Sequence, residues 1–120
     1  MWKRRLRSFK YAFAGLSDLI KTQPNARIHL LAAIVVTLAG IYFKVSATEW
    51  CILILTIGLV LVAEAFNTAL EYLTNLMSPD YHPLAGKTKD VAAAGVLILA
   101  IVALLVGMII FLPKIAALLG

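Results

Sequence analysis

Two glutamates and an asparagine stand at the end of a long apolar run. Glu64, Asn67 and Glu71 follow the segment WCILILTIGLVLV, and their spacing puts them on one face of a helix. An acidic side chain at the centre of a lone membrane helix costs roughly 2.5–3.5 kcal/mol on insertion scales, so the trio requires an explanation. A carboxylate shielded from water can accept a proton near neutral pH, and one nearer to water can hold a divalent cation. The pattern indicates proton transfer beside a cation site, with Asn67 orienting both carboxylates.

Two structural alternatives account for the same residues without chemistry. Glu64 could pair with a basic residue of another helix and only hold the helices together. The helix could also end before Glu64, which would leave all three side chains in water. Two other function classes stay open: a small transporter or channel subunit with Glu64 in a proton or cation path, and an electrostatic membrane scaffold.

A polar segment at 74–90 adds groups suited to phosphates. Asp80, Tyr81 and His82 supply a carboxylate, a ring and an imidazole, and Lys89 follows shortly after. Lysine beside a cation-binding carboxylate face is what a nucleotide polyphosphate requires. The stretch AGKT within this segment is not a P-loop, because Tyr81 occupies the place of the first glycine and no strand precedes it. Together these groups describe phosphoryl transfer from a soluble donor to an acceptor in a lipid bilayer.

The elements that carry these residues are predicted to be membrane helices. The chain has 120 residues, of which 62% are hydrophobic, against about 45–50% apolar residues in soluble domains. Apolar segments at about 28–45, 50–73 and 91–113 each fall within the roughly 17–25 residues that a crossing needs. Three spans cannot close a β-barrel, so we expect an all-α single domain over 1–120.

The first 24 residues are predicted to form an amphipathic surface helix followed by a turn. Apolar residues recur every three or four positions from Trp2 to Ile20, opposite a basic face, and TQPN interrupts the helix. Seven of the eleven Lys and Arg residues lie within the first 27 positions. The positive-inside rule therefore puts the N-terminus and segment 74–90 in the cytoplasm. We expect the basic face to contact lipid headgroups rather than nucleic acid, and we expect His29 to lie at the membrane interface.

The segment AEAFNTALEYLTNLMSPDYHPLAGKTKDVAAAGVLI closely resembles the signature region of the prokaryotic diacylglycerol kinase family. RSFKYAFAGL and NARIHL extend the resemblance over nearly the whole chain. The resemblance implies a lipid kinase of the bacterial cytoplasmic membrane that uses ATP and Mg²⁺. It also implies a homotrimer, with active sites built at the boundaries between subunits. The acceptor would be undecaprenol or diacylglycerol, and the wording SPDYHPLA favours undecaprenol.

The same resemblance implies roles for individual residues. Glu64 matches the general base, Asn67 the asparagine beside it, and Glu71 the glutamate that binds metal and nucleotide. Gln23 stands where the family commonly has a second metal-associated glutamate, and Ala93 replaces a serine near the lipid in the diacylglycerol-specific branch. The remaining nucleotide contacts fall on Arg4, Tyr11, Asp80, Tyr81, His82, Lys89 and Asp90.

Overall fold

The computed structural model describes residues 1–120 and consists of four helices without a strand. They are α1 (Trp2–Thr22), α2 (Pro24–Tyr42), α3 (Ala47–Met77) and α4 (Pro83–Leu119). The last three are long and apolar enough to cross a membrane. The all-α architecture, with an amphipathic first helix and three helices able to span, is confirmed.

The break between α1 and α2 is a single residue inside the stretch TQPN. Gln23 is extended, with φ −110° and ψ 106°, and Pro24 opens the next helix. Proline suits a first helical position because its missing N–H has no partner there, while it disfavours helix at the residue before it. Arg27 Nη1 donates to the carbonyl oxygens of Ile20 at 3.3 Å and Lys21 at 2.9 Å. These bonds satisfy carbonyl groups at the end of α1 and fix the corner between the two helices.

The turn between α2 and α3 is tight and well capped. Ser46 accepts a hydrogen bond from the Glu49 N–H at 3.1 Å, and Glu49 Oε1 accepts one from the Ser46 N–H at 3.0 Å. This reciprocal capping box starts α3. A Cβ atom at Gly40 would lie 2.6 Å from Cη2 of Trp50, so only glycine permits this approach of the two helices.

The prediction of a long polar loop at 74–90 is wrong. Only Ser78 to His82 separates α3 from α4. Pro83 occupies the first turn of α4, and His82 Nδ1 accepts a hydrogen bond from the Leu84 N–H at 3.1 Å. A polar segment can start a helix when a capping side chain precedes it and proline occupies its first position, as His82 and Pro83 do here. α4 also continues through Pro113 to Leu119, beyond the span predicted to end at 113.

The interior of the chain is small and lies mainly between α3 and α4. Val45, Leu53, Ile110 and Phe111 form a buried cluster, and Lys114 Nζ lies 2.8 Å from Glu49 Oε2 at the same end of the molecule. Ten of the 120 residues are buried, and large apolar side chains are exposed on every helix. A surface of this kind is stable in lipid or against other subunits rather than in water.

Candidate active site

The three polar residues of α3 lie on one helix face, along a gradient of burial. Glu64 is 2% exposed, whereas Asn67 and Glu71 are partly exposed. Asn67 Nδ2 donates to Glu71 Oε1 over a long 3.5 Å, and Asn67 Oδ1 is covered without a donor. α3 continues to Met77, which excludes the alternative that the helix ends before these residues.

The buried Glu64 carboxylate contacts His29 of α2. His29 Nε2 lies 3.3 Å from Glu64 Oε1, and the histidine side chain is 22% exposed. The ring is close enough for an ion pair, but Oε1 receives no aligned hydrogen bond. The sequence predicts His29 at the membrane interface without pairing it with Glu64, and this contact between α2 and α3 is what the structure adds. The available signal was that a buried carboxylate needs a partner, and Arg27 and His29 are the only basic residues of α2.

A small cavity adjoins this pair between α2, α3 and α4. Its volume is about 80 Å³, and His29 and Thr56 are its polar wall residues. The Thr56 hydroxyl donates to the Ile52 carbonyl at 2.7 Å within its own helix. The imidazole therefore stands between the cavity and Glu64 in otherwise apolar surroundings.

A second cleft lies where α3 passes into α4. Lys89 Nζ donates to Asn75 Oδ1 at 2.6 Å, and Asn75 is one turn beyond Glu71 on α3. The cleft has a volume of about 300 Å³. Its lining residues are Asn75, Ser78, Pro79, Asp80, Tyr81, His82, Ala85, Gly86 and Lys89. Four residues expected to contact a nucleotide thus meet in one place, and Asn75, which the sequence reasoning did not single out, joins them to the carboxylate face. Asp90 is exposed outside this cleft.

His82 has a structural task in this cleft. Its Nδ1 accepts the Leu84 N–H, so the neutral ring carries its proton on Nε2. Only Nε2 remains to donate to a ligand, and the cap holds the ring in place at the start of α4.

The end of α1 approaches α3 beside Glu71. Tyr72, the next residue along α3, donates its hydroxyl to Asp18 Oδ2 at 2.8 Å and lies 3.3 Å from Thr22 Oγ1. Gln23 Nε2 donates to Thr22 Oγ1 at 3.2 Å. Hydrogen bonds thus run from Gln23 through the Thr22 and Tyr72 hydroxyl groups to α3, one residue after Glu71.

Arg4 and Tyr11 are not brought to this face. Both side chains are exposed on α1, and neither makes a side-chain hydrogen bond. Within one chain they stand apart from the residues of α3 that they were expected to assist.

The oxygen groups near Glu71 have the chemistry of a magnesium site. No group of three or more His, Cys, Asp or Glu side chains that could hold a metal ion occurs in the chain. Mg²⁺ usually takes one or two carboxylates and completes its shell with water and phosphate oxygens. The Glu71 carboxylate and the covered, donor-free Oδ1 of Asn67 fit that requirement.

Known proteins resemble this chain over most of its length. A family model described as prokaryotic diacylglycerol kinase matches residues 10–111. The chain is 37% identical over 111 residues to undecaprenol kinase of Bacillus subtilis, covering 92% of this chain and 90% of that one. It is 41% identical over 112 residues to a diacylglycerol kinase of Synechocystis, of which it spans 64%. The diacylglycerol kinase of Escherichia coli is 28% identical over 102 residues, with 85% and 84% of the two chains covered.

Proposed function

The chain belongs to the prokaryotic diacylglycerol kinase family, and we propose that it transfers the terminal phosphoryl group of ATP to a membrane lipid alcohol at the cytoplasmic face. The products are the lipid phosphate and ADP. The class of enzyme, a lipid kinase with membrane-spanning helices, follows from the family. The observation that carries the proposal is the continuous polar face of α3, which runs from the buried Glu64 to Asn75 and its bond with Lys89.

Glu64 serves as the general base in this reaction. Its carboxylate takes the proton of the lipid hydroxyl while the hydroxyl oxygen attacks the γ-phosphorus and the bond to the ADP oxygen breaks. A base in an apolar setting suits an acceptor that arrives through lipid, because the reacting oxygen is then kept from water. Asn67, between Glu64 and Glu71, orients the two carboxylates.

The groups nearer to water handle the phosphates. Glu71, Asn67 Oδ1 and the amide oxygen of Gln23 would hold Mg²⁺, which neutralises phosphate charge when bound. Lys89 supplies a positive charge from the cleft, and the N-terminus of α4 opens into the same cleft, where its dipole favours anions. Asp80, Tyr81 and His82 complete the nucleotide contacts in the cleft, whereas Asp90, outside it, is assigned to the nucleotide by the family resemblance alone.

A homotrimer explains the residues that one chain leaves apart. The side chains of Arg4 and Tyr11 are exposed and form no hydrogen bond with α3, yet the family resemblance assigns both residues to the nucleotide. Large apolar side chains also remain exposed on all four helices. Sites shared between neighbouring subunits would bring α1 of one chain to α3 of another.

Undecaprenol is the acceptor that we favour. The Bacillus subtilis relative named undecaprenol kinase matches over 90% of its own length, and the chain has Ala93 rather than a serine near the lipid. The Synechocystis relative named diacylglycerol kinase is slightly more similar over the matched part, so diacylglycerol is the competing acceptor.

Labelled ATP and a choice of lipids test the proposal. Purified protein in detergent micelles is given γ-labelled ATP with undecaprenol, with diacylglycerol, or with no lipid alcohol. We expect label in the lipid fraction, more with undecaprenol, and with the Glu64→Gln variant a rate of labelling lower by about 10²-fold or more. Label in neither lipid under conditions where the protein is folded would remove the kinase proposal and favour a transporter or channel role for Glu64.

A further inference from the structure

Glu64 has a single ionisable neighbour, and that neighbour comes from a different helix. The carboxylate is 2% exposed, and His29 Nε2 is 3.3 Å from its Oε1. Of its two oxygens, only Oε1 is both fully covered and without a hydrogen-bond donor. A buried carboxylate with no partner is strongly unfavourable, so this contact is more than incidental packing.

We propose that His29 is a positioning residue for Glu64, an inference that rests on Glu64 being the base of the proposed reaction. The imidazole holds Oε1 from the side of α2 and so points Oε2 at the acceptor hydroxyl. The 3.3 Å separation is within hydrogen-bonding distance, so alignment of the ring N–H with Oε1 is all that a donation requires. Hydrogen bonds in catalytic sites are often long or misaligned before substrate arrives, and they tighten when it binds.

The surroundings of His29 suit this task. The ring lines the small apolar cavity between α2, α3 and α4, where an electrostatic contact is stronger than in water. Ala26, one turn earlier on α2, is 1% exposed and packed close, and Arg27 ties the start of α2 to the end of α1. The histidine is thus presented from a firmly held helix start, as an orienting group has to be.

Substitution of His29 by alanine, glutamine or leucine distinguishes a positioning role of this residue from a packing role. Glutamine retains an N–H donor near the place of Nε2, whereas leucine has a similar volume and no donor. Misplacing a reacting group by about 1 Å can cost ~10²-fold in rate, so we expect His29→Ala and His29→Leu to lower kcat by about that factor. The KM for ATP should stay within about twofold, since the nucleotide groups lie further along α3.

Rescue by glutamine distinguishes positioning from packing. His29→Gln should recover at least ~10-fold of the kcat lost in His29→Leu, because the amide N–H restores a hydrogen bond to a charged group. Thr37→Val is the matched control on the same helix, since its exposed hydroxyl bonds only to the Ala33 carbonyl. It should keep the wild-type kcat and KM.

Each outcome decides the proposal. Equal kcat for the glutamine and leucine variants, at either high or low activity, overturns it, and this comparison stands even where the alanine variant does not fold. A fall in kcat in the leucine variant that is matched by a rise in the KM for ATP also overturns it. Glu64→Gln is measured in parallel: if that variant remains active, the proposed base is wrong, whereas an inactive Glu64→Gln beside a fully active His29→Leu removes only the role of His29.

Discussion

The Tyr72 hydroxyl on α3 donates to the Asp18 carboxylate on α1 at 2.8 Å. Thr22 Oγ1 lies 3.3 Å from the same hydroxyl and receives the Gln23 amide. Because Tyr72 directly follows Glu71, this bond anchors the surface helix beside the carboxylate face. It connects the amphipathic helix α1 with the helix that carries the proposed chemistry.

Removing that anchor should weaken use of the magnesium nucleotide without abolishing turnover. Tyr72→Phe loses a hydrogen bond to a carboxylate that is exposed and therefore screened by water, so its contribution is only about 1 kcal/mol and we expect the KM for ATP to rise about fivefold. Steady-state kinetics at saturating lipid measure this. Tyr42→Phe is the control, since Tyr42 is exposed at the end of α2 without a side-chain hydrogen bond.

Substitutions of Asp18, the hydrogen-bond partner of Tyr72, test whether the effect of Tyr72→Phe comes from this bond. Asp18→Asn keeps an oxygen that can accept the Tyr72 hydroxyl, whereas Asp18→Ala does not. Asp18→Ala and Tyr72→Phe should therefore be non-additive when combined, as expected for two residues in one contact. Additive effects would mean that the two side chains act independently of each other.

Glu64→Gln should lower kcat by about 10²–10⁴-fold, because an amide cannot take the proton of the lipid hydroxyl. Glu49→Gln is the matched control: it lies at the opposite end of α3, and glutamine can still form the capping box with Ser46. Circular dichroism and gel filtration verify that both variants fold. A Glu64→Gln enzyme with more than a tenth of the wild-type rate would rule out this residue as the base.

Glu71→Ala should raise the Mg²⁺ concentration needed for half-maximal rate and the KM for ATP together, since the metal joins the carboxylate to the phosphates. Titration of Mg²⁺ at fixed ATP measures both effects. An unchanged Mg²⁺ requirement would put the cation elsewhere.

Gln23→Glu should act in the opposite direction. A carboxylate attracts a divalent cation more strongly than an amide does, so half-maximal rate should be reached at lower Mg²⁺. The maximal rate need not rise, because tighter binding in the ground state does not stabilise the transition state. Superimposable activation curves for the two proteins would place position 23 outside the metal site and restrict it to the turn between α1 and α2.

Neutralising Arg4, Arg5 and Arg7 should release α1 from anionic membranes, since each charge near such a surface contributes about 1 kcal/mol. A peptide of residues 1–21 and its triple-glutamine variant can be compared on anionic and neutral vesicles. We expect the natural peptide to prefer anionic vesicles and the variant to lose that preference. Equal binding of the natural peptide to both would contradict the amphipathic assignment.

Features that depend on one helix could be predicted from the sequence, and features that depend on two could not. The shared face of Glu64, Asn67 and Glu71 follows from the helical repeat alone. The contact of His29 with Glu64 depends on how α2 is rotated against α3, and no local pattern determines that rotation. The bonds of Tyr72 with Asp18 and of Lys89 with Asn75 have the same origin.

The position of the second loop was misjudged for a different reason. Polarity alone predicts a loop at residues 84–90, but these residues form the first turns of α4, where a polar sequence is compatible with a helix. Propensity and capping, set by Pro83 and His82, determine the backbone there. Hydropathy predicts which residues of a helix are apolar enough for lipid, but it does not predict where the helix begins or ends.

α4 has 37 residues and is therefore about 55 Å long, against an apolar bilayer thickness of about 30 Å. The helix is thus longer than a crossing requires, and its polar first turns, which include Lys89, are helical rather than part of a flexible loop. A nucleotide that binds there has little backbone to order, so association should carry a small entropic penalty. Amide hydrogen exchange should be slow along residues 84–90 before ATP is added, and any slowing caused by the nucleotide should be concentrated in Ser78 to His82.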